Sequence, residues 1–82
     1  MKFHYMRRKD GAIVCADFDS NEEGEWANLG YGTEFEQPYF GTRQNLTEII
    51  EGRRNDSWSY NIPKRMQEDC AKGLVEIIEV EL

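Results

Sequence analysis

A chain of 82 residues has room for one modest hydrophobic core and no second lobe, which argues against a cleft holding a dinucleotide and a substrate together. With 39% hydrophobic and 12% aromatic residues and only two prolines, the composition is that of a folded domain and not of a disordered segment. The formal charge of −6 is unevenly spread: from Gly11 to Thr42 there is no Lys or Arg, while Asp17, Asp19, Glu22, Glu23, Glu25, Glu34 and Glu36 all fall there.

No stretch is apolar and long enough to span a membrane, and "MKFHYMRRKDG" lacks the apolar run of a signal peptide. A cytoplasmic protein with no membrane partner is therefore expected. Cys15 and Cys70 fit that setting as thiols, with a single disulfide as the open alternative.

In chain order, Lys2 to Phe18 reads as a β-hairpin about Asp10-Gly11. A two-residue turn there sets Phe3 opposite Phe18, His4 opposite Asp17, Tyr5 opposite Ala16 and Met6 opposite Cys15. Alternation then assigns Phe3, Tyr5, Val14, Ala16 and Phe18 to the core face. Asp19 to Glu25 reads as an acidic loop. The stretch "WANLGYGTEFEQPYF", Trp26 to Phe40, reads as one or two short strands broken by turns, with two or three of its rings in the core.

Asn45 is expected to cap a short helix, with Glu48 reaching back and Leu46, Ile49 and Ile50 on one face; Gly52 ends it. After a loop from Arg53 to Asn61, a second helix is expected from about Pro63 to Gly73, with Ile62, Met66 and Cys70 as its buried stripe. "LVEIIEVEL" closes the chain as a strand. The order predicts a small single α+β domain over residues 1–82: an N-terminal hairpin, an irregular β-rich middle, two short helices and a C-terminal strand in one mainly antiparallel sheet.

Most motifs that carry chemistry fail on inspection. Gly30-Tyr31-Gly32 lacks the third small residue of a dinucleotide loop, since Phe35 stands there, and the acidic surroundings repel phosphate. The two glycines are expected to bend a strand or permit a bulge. Asp17-Phe18-Asp19-Ser20-Asn21 begins like a calcium loop, but Glu22 occupies the place that needs glycine and Asn28 the place that needs a bidentate glutamate. His4, Cys15 and Asp17 could sketch a zinc site or a thiol–imidazole pair, without a second histidine to complete either. No cofactor, metal or catalytic residue is assigned.

Two surfaces remain. The favoured one is an acidic and aromatic face made of Asp19, Glu22, Glu23, Glu25, Trp26, Tyr31, Glu34, Glu36 and Tyr39. Its rings would anchor, and its carboxylates steer, a protein partner with a basic surface. A non-enzymatic inhibitor that imitates nucleic acid, as small acidic proteins of viruses and mobile elements do, is the specific version of this expectation. The alternative is single-stranded nucleic-acid binding through Arg53, Arg54, Trp58, Tyr60, Lys64 and Arg65, where rings stack on bases and cations meet phosphates. The acidity of the whole chain weighs against it. Either a monomer or a homodimer paired at an exposed sheet edge is compatible with the sequence.

Overall fold

The computed structural model describes residues 1–32 and 37–82. The chain forms β1 (Lys2–Arg8), β2 (Ile13–Asn21), β3 (Gly24–Gly32), α1 (Arg43–Ile50), β4 (Tyr60–Asn61), α2 (Lys64–Ala71) and β5 (Val75–Glu81). The five strands make one sheet in the order β4-β3-β2-β1-β5. Among the described residues only the short β3–β4 pairing is parallel, so the expected α+β domain with a mainly antiparallel sheet is found.

Hydrophobic burial puts both helices on one face. Met6, Val14, Ala27 and Leu29 from the sheet form one buried cluster with Leu46 and Ile49 of α1, Met66 and Cys70 of α2, Ile62 and Val75. The stripe Ile62, Met66, Cys70 and the pair Leu46, Ile49 are buried as their spacing predicts. Both helices stop at glycines in the left-handed region, Gly52 at φ 82° and Gly73 at φ 73°. Among the described residues no helix is long and apolar enough to cross a membrane.

The first hairpin departs from expectation. Its turn has three residues, closed by Gly11 N–H donating to the Arg8 carbonyl at 2.8 Å and Arg8 N–H to the Ala12 carbonyl at 2.7 Å, with Gly11 at φ 106°. This is a tight turn followed by a glycine bulge. Arg7 then opposes Ile13, one residue out of the expected register. Because side chains alternate, that single step turns β1 over: Met6 enters the core, and Phe3 and Tyr5 move to the open face opposite Val80 and Ile78. Val14 and Ala16 keep their expected side. Phe18 does too, yet lies beyond the helices and is 74% exposed.

Beyond Arg7 and Ile13 the first two strands part, and residues 38–41 fill the gap. Tyr39 N–H donates to the Val14 carbonyl at 2.9 Å and Gly41 N–H to the His4 carbonyl at 3.0 Å, satisfying backbone groups the parted strands leave open. Phe40 packs edge-on to Phe3 and Tyr5 on the open face.

The expected acidic loop is mostly strand. β2 and β3 pair without a bulge from Ile13↔Gly32 to Asn21↔Gly24, leaving only Glu22-Glu23 as the turn, so Gly30 and Gly32 are ordinary ladder positions. The cap of α1 is Thr42, whose Oγ1 accepts from the Asn45 N–H at 3.1 Å. Asn45 instead donates its side-chain amide to the Tyr60 hydroxyl at 2.6 Å, and Glu48 pairs with Arg54. Of the five rings in Trp26 to Phe40, Phe35 lies outside the described residues and none of Trp26, Tyr31, Tyr39 and Phe40 joins the fully buried set, which is aliphatic and methionine-rich; Tyr31 and Tyr39 pack against its edge.

Candidate interaction surface

The far half of the β2–β3 hairpin reaches past the helices, which leaves Asp17 through Glu23 and Glu25 exposed. Cross-strand pairing sets Asp17 beside Asn28 and Asp19 beside Trp26 on the open face, with Phe18 beside Ala27 on the helix side. Asp19 and Asn21 also brace the backbone, accepting from the N–H groups of Ser20 at 2.9 Å and Glu23 at 2.8 Å. Among the described residues, none of Asp17, Asp19, Glu22, Glu23 and Glu25 has a cation within ion-pair distance.

Aromatic side chains surround this end. Trp26 and Trp58 meet edge-on with ring centroids 5.6 Å apart, and Trp58 remains 53% exposed. Trp58 lies over Gly24, where an added Cβ would meet its Cη2 at 2.9 Å. On the helix side Phe18, Tyr39 and Tyr60 stand in a row, with centroids 6.2 Å and 6.3 Å apart and the two tyrosine hydroxyls 3.0 Å from each other. Burial, and then the contact with Tyr60, hold the Tyr39 hydroxyl protonated well above the usual tyrosine range.

The structure thus gathers Asp19, Glu22, Glu23, Glu25, Trp26 and Tyr39 at one end and adds Asp17 and Phe18 to them. Alternation alone assigns Phe18 to the core side, and the limit of helix cover is not visible in a strand's own pattern. Tyr31 is elsewhere. Its hydroxyl donates to Asp69 at 2.6 Å while the Arg8 guanidinium lies 4.4 Å from its ring centroid, so it serves internal packing. Glu34 and Glu36 lie outside the described residues.

Two of the four cations of the alternative basic surface are held in ion pairs. Arg53 pairs with Glu51, and Arg54 pairs with Glu48 at 2.9 Å while lying 5.9 Å from the Tyr60 ring centroid. Tyr60 is fixed by Asn45 and Tyr39, and Lys64 and Arg65 open α2 as exposed residues. The expected closeness of His4, Cys15 and Asp17 does not occur. His4 projects to the helix side, 3.1 Å from Glu79, whereas Cys15 and Asp17 point to the open face. The flipped register of β1 causes this separation. Asp17, Asp19 and Asn21 lie along an extended strand and do not wrap round a point, as calcium ligands must. Among the described residues no three His, Cys, Asp or Glu side chains cluster as a metal site. Burial raises the Cys70 thiol to about 11, so it stays protonated near neutrality.

Comparison of the chain with protein-family models, curated proteins and solved structures finds no match.

Proposed function

We propose that the chain is a non-enzymatic interaction module that docks the acidic, aromatic end of its β2–β3 hairpin on a basic, nucleic-acid-binding face of a cytoplasmic partner protein. The observation that carries the reading is the segregation of charge. Among the described residues the carboxylates at the hairpin end have no cation within ion-pair distance, whereas five of the ten Lys and Arg side chains, Lys2, Arg7, Arg8, Arg53 and Arg54, are held in ion pairs elsewhere. An unpaired field of one sign steers an oppositely charged partner, and exposed rings next to it supply apolar anchorage after encounter.

The pairing of Arg53 and Arg54 with glutamates weighs against the nucleic-acid-binding alternative, because those cations would have to leave their partners first.

The test is capture from a lysate of the native source, with proteins and nucleic acids both identified. Asp19→Asn, Glu22→Gln, Glu23→Gln and Glu25→Gln together are expected to abolish capture of a basic protein, and Arg53→Gln with Arg54→Gln to leave it intact. All six positions are exposed or partly exposed, so the fold should survive. Capture that ignores the acidic substitutions, or recovery of nucleic acid that depends on the arginines, contradicts the proposal.

A further inference from the structure

On the helix side of the hairpin end, Phe18, Glu25, Tyr39 and Tyr60 line an open recess of about 180 Å³ whose floor is the β3 backbone at Trp26 and Ala27. Three of its walls are the rings of Phe18, Tyr39 and Tyr60, and among the described residues its one carboxylate, Glu25, has no cation within ion-pair distance. Aromatic walls attract cations through the negative ring face, and a carboxylate adds a charge-assisted acceptor.

We infer that this recess receives an arginine side chain of the basic partner, an inference that rests on the docking reading above. The occupant is cationic because, among the described residues, the one charged group lining the recess is negative and the surrounding hairpin end is acidic, while Arg54 beside the Tyr60 ring is already paired with Glu48. Arginine fits better than lysine for two reasons. Its guanidinium is planar and weakly hydrated, so it stacks on a ring while donating in its own plane to a carboxylate. The molecule also uses the same combination internally: Arg8 lies over the Tyr31 ring at 4.4 Å and donates to Asp10 at 2.8 Å, and Arg54 lies beside Tyr60 while bonded to Glu48. Phe18, 74% exposed without an occupant, would be covered by one.

The experiment titrates the full chain with acetyl-Gly-Arg-Gly-amide and follows backbone amide and indole resonances by NMR, with the matching lysine and citrulline peptides as comparisons. Citrulline keeps the shape of arginine and removes its charge. Saturable shifts centred on Phe18, Glu25, Trp26, Tyr39 and Tyr60 are expected with arginine, weaker ones with lysine and none with citrulline. Glu25→Gln should weaken the arginine peptide by roughly three- to fivefold, the size of one exposed charge interaction. Phe18→Ala should weaken it further while the remaining spectrum stays native, since Phe18 is exposed and lies outside the buried cluster. Absence of saturable shifts, equal response to citrulline, or shifts centred elsewhere overturns the inference. If a partner is still captured in a salt-sensitive way by a chain that fails this titration, the recess is refuted and the docking surface stands. Arginine-selective shifts support the recess even where no partner is captured.

Discussion

Asp69 shows how single residues hold the sheet and α2 together. It accepts the Tyr31 hydroxyl at 2.6 Å and faces the Arg8 guanidinium at 3.5 Å, tying β3, α2 and β1 at one point. The Tyr31 hydrogen bond, followed by Arg8, holds its carboxyl below the ordinary value of 3.8; Arg8 and the Ala12 N–H do the same for Asp10. A carboxyl depressed in the folded state stabilises it above its unfolded value, and that contribution fades as pH falls through the folded value. Stability should therefore decline as pH drops below about 4. In Asp69→Asn the same decline should be shallower, from a lower starting stability, in urea unfolding followed across pH. An acid limb of unchanged slope in that variant would show that Asp69 does not titrate in the way its contacts require.

Elements show where local sequence suffices and where it does not. The hairpin that carries the candidate surface depends on Gly24, at φ 144° and beneath Trp58. Gly24→Ala combines an unfavourable backbone with displacement of the indole, and is expected to cost about 1–2 kcal/mol in denaturant unfolding with a red shift in tryptophan emission. Unchanged stability and emission would mean that Trp58 is not seated there. Both helices, their glycine stops and the closing strand are legible from periodicity because their buried stripes repeat within a few residues. Asp10-Gly11 also marks a turn correctly, but a dipeptide does not reveal whether two or three residues close it. That one residue decides the face of Phe3, Tyr5 and Met6, and with it the separation of His4 from Cys15. Likewise Asn45 and Thr42 are both competent caps, and the choice rests on Tyr60, fifteen positions from Asn45, claiming its amide. The candidate surface was half legible: its charge is written in consecutive carboxylates, whereas the exposure of Phe18 depends on where α1 ends in space.

At the scale of the whole molecule, the two helices cover one face of a sheet whose acidic hairpin extends beyond them. The outer edge strand β5 carries Glu76, Glu79 and Glu81, and Glu79 is held below the ordinary value of 4.5, first by His4 and then by Lys2. Charges on an edge discourage pairing between copies; the hairpin end is the surface proposed for a basic protein. The most direct test of that role is competition. The partner obtained by capture is loaded with labelled nucleic acid, and this chain is titrated in at low salt and again near 1 M, where screening falls to about 3 Å. The account predicts that the chain displaces the nucleic acid at low salt and loses that ability at high salt. A ternary complex in which chain and nucleic acid bind the partner together, or direct binding of the labelled nucleic acid by the chain, would contradict it.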